Sequence, residues 1–407
     1  MVKIIPESIL MNRSDFPLFK VPGRHDYAYL DSAATTIKPQ KVIDAVTHAY
    51  TTFSGSPRRG LYHDSENATF LIEQTRETVS RFLGVESNTI LFTKNTTDSI
   101  NTVALSWGEQ NIQAGDEIVV TAREHHANFI PWQQLAHRKQ AKFVVIPVDQ
   151  QGELVGNCCD YITSSTKLLA LGHVSNVTGV ASKFLEPLVA QAKRFSAAVL
   201  LDGAQAISYM EYLLQKLDID FYAFSGHKMC GPYDVGILYV KKSRHSEMQP
   251  YVFGGGAVFE VLEESTTFLP FPHSFEPGTL ATPEIVGLGA AVEYLQSIGV
   301  ANIATHANSL VRLFLDSIDY EKITIVGDYD RLYNESHLAS FVVKGYHAHD
   351  VAAYLAEKGI AVRAGNHCAQ PLHKALGYDA TVRVSFYMYN TEADVIKCVE
   401  ALRELTK

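Results

Sequence analysis

A lysine ends the run Phe224-Ser225-Gly226-His227-Lys228, where an aromatic, apolar stretch breaks at a glycine. Upstream, Val199-Leu200-Leu201-Asp202-Gly203-Ala204-Gln205 delivers a carboxylate where a second apolar run stops. Both runs read as buried strands, and lying parallel they would bring Asp202 and Lys228 to one rim of a sheet. An amine that condenses with an aldehyde, beside a carboxylate that holds a protonated ring nitrogen, is the pair pyridoxal 5′-phosphate requires. Thr96-Thr97 at a helix start would offer hydroxyls and free N–H groups to a phosphate, although an ordinary N-cap pair explains the same residues. Ser225 and His227 add donors beside the lysine.

A second group lies far along the chain. Cys368 sits in Val362-Arg363-Ala364-Gly365-Asn366-His367-Cys368-Ala369-Gln370-Pro371, a polar loop with an arginine and a histidine. A neighbouring cation lowers a thiol's pKa from about 8.5 and raises the thiolate fraction, which is the nucleophile. Of the other cysteines, Cys398 falls in an amphipathic C-terminal helix and Cys158-Cys159 is a vicinal pair in a turn, both better explained structurally. Cys230, two residues after Lys228, stays open. Arg383 is a charge flanked by apolar residues in the strand-like stretch 381–386, so it must find a partner. A carboxylate held bidentately is one, an internal salt bridge the other. Glu124-His125-His126-Ala127-Asn128 lacks metal-ligand spacing, which leaves an imidazole stacked on a flat ring or one satisfied by backbone. Gly254-Gly255-Gly256 precedes neither Gly-Lys-Ser/Thr nor a helix and is no phosphate loop.

The elements that must position these groups follow from the pattern. Strands are expected at 89–93, 117–121, 142–147, 167–171, 198–201 and 236–240, alternating with helices. Near-continuous apolar strands of this kind form a mostly parallel α/β sheet covered on both faces, with function at the strands' carboxyl ends. A lead-in covers 1–30, a helix runs from Pro39 through Tyr50, and another spans roughly 66–83. The proline- and glycine-rich stretch 250–283 reads as a crossing segment toward a second domain or a partner subunit. A long helix through Val286 and Leu295 then leads into a smaller α+β region. The expected division is 1–30 packing with the small domain, 31–290 as the large domain, and 291–407 as the small one.

Bulk properties narrow the classes. The 407 residues suffice for two or three domains, and 46% apolar with 19% charged residues is ordinary for a soluble protein. There is no apolar run of the ~18 residues that a membrane span needs. A net charge of -9 without a basic cluster argues against nucleic acid and anionic membranes. The first seven residues are too soon interrupted for a secretory signal. Five cysteines without a C-x-x-C spacing fit a reducing, cytoplasmic compartment and no metal site.

Over nearly its whole length the chain resembles the class V aminotransferase-like cysteine desulfurases of the Suf/Csd (group II) type. The resemblance is carried by Tyr29-Leu30-Asp31-Ser32-Ala33-Ala34, Glu124 through Trp132, His173 through Gly179, Asp202-Gly203-Ala204-Gln205, Phe224 through Lys228 and, most diagnostic, Arg363 through Pro371. It implies a fold-type I pyridoxal-phosphate enzyme that acts as a homodimer and converts L-cysteine to L-alanine. Sulfur would be left as a persulfide on Cys368 and passed to a SufE/CsdE-like acceptor for iron–sulfur cluster assembly. By the same resemblance Lys228 holds the cofactor aldehyde, Asp202 the ring nitrogen and Gln205 the ring hydroxyl, while His125 stacks on the ring. Thr97, Ser225 and His227 match phosphate contacts, with Thr279 reaching in from the other subunit. Asn176 and Arg383, with Arg363 nearby, match the groups that hold the substrate carboxylate. The chain departs from the family at Arg58, Tyr233 and Asp234, which puts the charge near the site and the acceptor's docking in question. Selenocysteine lysis or another reaction on the same fold, such as aminotransfer, is the competing reading; a non-catalytic relative or a metal hydrolase built on His125-His126 is more remote.

Overall fold

The computed structural model describes residues 13–210, 214 and 216–407. The segment 1–7, weighed above as a signal, lies outside the described residues.

Alternation within the apolar strands decides the architecture. Val199, Leu201, Tyr222 and Phe224 enter one buried cluster, and Ala198, Leu200, Phe221 and Ala223 enter another. With both faces apolar, neither can meet water, and the strands must lie in a sheet covered on both sides. That sheet has seven strands, in the order Ile90–Thr93, Gly236–Val240, Phe221–Ser225, Ala198–Asp202, Thr166–Gly172, Glu117–Thr121, Lys142–Ile146. Only Gly236–Val240 runs antiparallel to its neighbours. Ala198–Asp202 and Phe221–Ser225 are adjacent and parallel, with Asp202 opposite Ala223, so Asp202 and the turn holding Lys228 do share a rim.

A second sheet is antiparallel, in the order Ile323–Val326, Leu338–Val343, Thr381–Ser385, Arg363–Gly365. Val382 and Val384 face its core, which includes Phe341, Phe386, Val395 and Cys398. Strict alternation then turns Thr381, Arg383 and Ser385 to the opposite face. The expected division at 290/291 falls inside the helix Thr282–Ile298. Its Leu288, Ala291, Val292 and Leu295 all join the larger core, as does Ile303, whereas Ala307 and Leu310 join the smaller one. The lead-in serves both units. Phe16 and Phe19 enter the larger core; Ala28 and Leu30 enter the smaller, where Ala28–Tyr29 pairs with Ile360–Ala361. Within 250–283 the chain folds a hairpin, Val258–Val261 with Thr266–Phe268, that leaves Phe259 and Val261 exposed.

Arg58 is not free to charge the site. It donates at 2.5 Å to Glu276, a fully buried carboxylate that also receives Arg76 at 2.9 and 3.0 Å and the Phe92 N–H at 3.2 Å. Burial pushes Glu276 up, but the Arg76 guanidinium, His273 and Arg58 outweigh it and hold the carboxyl down to about 2. A carboxylate lowered on folding adds stability above its unfolded value of 4.5 that fades as pH falls toward 2. Removing it leaves Arg58 and Arg76 to share the half-exposed Glu73, so Glu276→Ala should cost about 3 kcal/mol in a urea unfolding titration at pH 7. That deficit should shrink as the titration is repeated toward pH 3.

Candidate active site

The carboxyl rim of the large sheet, the lead-in turn and the inner face of the small sheet enclose a cavity of about 1000 Å³. At its floor, Lys228 occupies the turn Gly226–Lys228, directly after the strand Phe221–Ser225. A side chain on Gly226 would press on Val235, which fixes the choice of glycine. The His227 carbonyl accepts from Thr36 N–H at 2.9 Å and from the hydroxyls of Thr35 and Thr36 at 3.1 and 3.0 Å, which locks the turn. Burial drives the Lys228 pKa down against the pull of Asp202, and Arg383 lowers it further. An amine so placed has a raised neutral, nucleophilic fraction.

Asp202 is buried at the end of its strand and accepts the Ala204 N–H at 2.9 Å. Burial raises its pKa, with Ala204 and Lys228 opposing. A cationic group against this carboxylate would hold it ionised. Gln205 donates to Ala33 O at 2.8 Å, and its Oε1 lies 3.3 Å from Nε2 of His337, a buried ring stacked on Tyr209. The His125 Nδ1 accepts the Ala127 N–H at 3.0 Å, and burial pushes this ring down to about 3, so it is neutral.

The other end of the cavity is built for an anion. Asn95 caps the helix Thr96–Val103 by accepting the Asp98 N–H at 3.0 Å, which brings Thr96 and Thr97 into its first turn. Ser225 Oγ receives the Thr96 N–H at 2.8 Å and sits 2.6 Å from the Thr96 hydroxyl. His227 Nδ1 and Arg383 Nε are buried without a partner, on side chains that line the cavity. The unpaired His227 nitrogen near a helix N-terminus, with a lysine and an isolated aspartate across the floor, fits a phosphorylated heterocycle carrying an aldehyde.

The small domain supplies the roof. Arg383 donates to Asn176 O at 2.9 Å and to Asp31 at 3.4 Å; Arg363 approaches Asp31 at 3.9 Å. Both partners considered for Arg383 are therefore in play: an internal ion pair takes one edge and Nε is spare. Asn176 spends its amide on His367 O at 2.6 Å. Cys368 is exposed to the cavity at the end of a tight loop where His367 and Cys368 have φ of 51° and 56°.

Lys228, Asp202, Gln205, His125, Thr96, Thr97, Ser225, His227, Asn176, Arg363, Arg383 and Cys368 all line this one cavity. Thr279 does not: it is solvent-exposed in the single chain. Tyr233 and Asp234 sit at the wall, with the Tyr233 ring stacked on His227 and Lys38 Nζ 4.6 Å above it. Asp31 and His337 join these groups without standing out in the sequence as chemistry-bearing residues. Asp31 stood inside a quoted motif and had a signal; nothing near His337 pointed to Gln205, 132 residues away.

With this geometry in hand, the matches to known proteins are direct. Residues 28–397 match aminotransferase class-V, and the chain belongs to that family. Within it the likeness is to cysteine desulfurases. One from Haloferax volcanii is 38% identical, covering 96% of this chain and 95% of that relative. The apo cysteine desulfurase of Thermococcus onnurineus NA1 aligns with a TM-score of 0.92 at 35% identity over 100% of this chain and 99% of that one. Cysteine desulfurase CsdA of Escherichia coli gives 0.89 at 36% identity over 97% of each. The family and the α/β fold expected from the sequence are those found.

Five histidines around the cavity are kept neutral chiefly by burial: His125 and His337 at about 3, His173 and His227 at about 4, His367 at about 2. Below the unfolded value of 6.5 the unfolded chain binds protons that these rings refuse, so stability present above pH 6.5 is lost on acidification. Glu124, pushed up to about 7, and Asp202 and Asp31, also raised, act the other way, but three carboxyls do not offset five rings. Urea midpoints of cofactor-free protein should fall from pH 6.5 to pH 5. His337→Gln should make that fall shallower.

Proposed function

We propose that this chain is a pyridoxal-phosphate-dependent cysteine desulfurase that moves sulfur from L-cysteine onto Cys368, releasing L-alanine. The observation that supports it most is that Lys228 and Cys368, 140 residues apart in sequence, line one cavity with Arg383 between the domains. Lys228 would hold the cofactor aldehyde, Asp202 its ring nitrogen, Gln205 its ring hydroxyl, and Thr96, Thr97, Ser225 and His227 its phosphate, with His125 against the ring. Bound there, the cofactor supplies an electron sink for charge developing on the substrate's α-carbon.

The chain's own groups account for the rest. Arg383, through its spare Nε, and Arg363 orient the substrate carboxylate, and Asn176 fixes both Arg383 and the thiol loop. Lys228 Nζ, its pKa lowered by burial, moves the α-proton. The Cys368 thiolate attacks the substrate sulfur; an S–S bond forms, the substrate's Cβ–S bond breaks, and its electron pair takes up a proton to give alanine. One cysteine and one thiol become one alanine and one persulfide, with no external oxidant. The sulfur then passes by thiol exchange to an acceptor protein of the SufE/CsdE type, for iron–sulfur cluster assembly.

We further place the enzyme in the cytoplasm as a homodimer. Thr279 is exposed outside the cavity, and the nearby hairpin shows apolar Phe259 and Val261, as a subunit contact would need. No helix among the described residues is long and apolar enough to cross a membrane.

Cys368→Ala should stop alanine and persulfide formation while the protein stays coloured; wild-type sulfide release from that variant would remove Cys368 from the mechanism. Lys228→Ala should come off a desalting column without its cofactor absorbance. Arg383→Lys cannot reproduce the planar fork, so KM for cysteine should rise by roughly tenfold or more in an alanine assay.

A further inference from the structure

The Cys368 loop is held in a conformation its sequence does not favour. Two consecutive non-glycine residues, His367 and Cys368, adopt left-handed φ values of 51° and 56°. Such residues are strained and persist only where surroundings over-determine them. The helix that follows, Gln370–Leu376, is also poorly started. Its N-cap is Ala369, which has no capping side chain, and Pro371 brings no N–H. The first N–H of that helix, on Gln370, needs an acceptor from elsewhere.

His126 supplies both missing contacts. Its main-chain N–H donates to Cys368 O at 2.6 Å, and its ring Nε2 accepts the Gln370 N–H at 3.2 Å. One residue thus brackets the thiol, gripping the backbone at Cys368 and two positions beyond. Its own turn, His126–Asn128, is rigid: Asn128 donates to Glu124 at 2.6 Å and accepts Trp132 Nε1 at 2.9 Å. The turn begins directly after His125, which lines the cavity. Attachment to it ties the position of the thiol to the wall of the binding cavity rather than to the loop alone.

We infer that His126 is a positioning residue that aims Cys368 at the substrate sulfur by capping the helix after it. This deepens the desulfurase reading and rests on Cys368 being the sulfur acceptor. The group needed at position 126 is a hydrogen-bond acceptor at the reach of Nε2, not a proton donor or an apolar filler. A group that only filled space would be replaceable by any side chain of similar size.

Holoenzyme variants His126→Gln, His126→Met and His126→Asn separate these roles. Gln places an oxygen near Nε2, Met matches its length without a strong acceptor, and Asn stays polar but stops one bond short. Three quantities are read on each: kcat and KM for L-cysteine by alanine release, cofactor absorbance, and the alkylation rate of Cys368 by iodoacetamide, followed by mass spectrometry. Met and Asn should lower kcat roughly tenfold with KM and absorbance held, as a misplaced reacting group does. Both should also alkylate faster, because the loop loses its anchor at Gln370 and keeps only the main-chain bond at Cys368 O. Gln should stay within about threefold of wild type in kcat and match its alkylation. If Gln, Asn and Met behave alike in kcat and alkylation, the capping role is wrong. The alkylation comparison judges the clamp even if Cys368→Ala keeps desulfurating, which would sink the parent reading instead.

Discussion

A guanidinium buried between two sheets is the constraint on which the rest depends. Arg383 belongs to the small sheet, yet it donates to Asn176 O beyond the end of the large-sheet strand Thr166–Gly172 and to Asp31, just after the lead-in. Taking an unpaired arginine out of water is prohibitive, so this side chain ties the small sheet to Asn176 and Asp31. Asp31 is in turn part of the short segment that bridges to Ser385. Three parts of the chain converge on one charge. The incomplete satisfaction of that charge leaves its Nε–H buried without a partner.

Electrostatics at the floor follow from the same exclusion of water. Asp202 and Arg383 each lie close enough to Lys228 to move its pKa, and in all three groups the largest influence is burial. Burial makes the lysine a better nucleophile and the aspartate a poorer anion until a cation faces it. Neutral histidines lie near the charges: the rings of His125, His173 and His337 hydrogen-bond and that of His227 stacks on Tyr233, without adding positive charge that would compete with Arg383 for a carboxylate. Cofactor affinity and substrate orientation therefore rest on a few charges in a low-dielectric space, where each counts for more than at a surface.

What the sequence made legible was whatever two-residue periodicity and strand-end chemistry carry. Ala198 through Asp202 and Phe221 through Ser225 announced buried parallel strands, and their register put Asp202 and Lys228 where expected. Cys368 and Arg383 were recognisable by type, but their meeting with Lys228 depends on long-range packing that no local pattern encodes. The expected division at 290 falls inside the unbroken helix Thr282–Ile298, which ends at Gly299, whose φ of 88° suits glycine, and the change from one core to the other comes only between Ile303 and Ala307. Arg58 looked like a charge for the site because nothing adjacent in sequence revealed Glu276, over 200 residues on. His337 was invisible for the same reason.

The choice among five cysteines shows how packing, rather than residue type, selects the chemistry. Cys230 stands nearest Lys228 in sequence, yet it is wholly enclosed, and burial pushes its thiol up to about 12. Cys398 is raised as far by the small-domain core, and Cys158 to about 11 beside its neighbour. None of these can form thiolate at neutral pH, and none lines the cavity. A sulfur acceptor must meet two conditions that usually conflict, facing a dry substrate site while remaining reachable by a second protein. A thiol inside either core would satisfy neither. Only a loop that leaves the sheet, turns left-handed at two successive residues and is fastened back to the cavity wall places a sulfur on the boundary between the two.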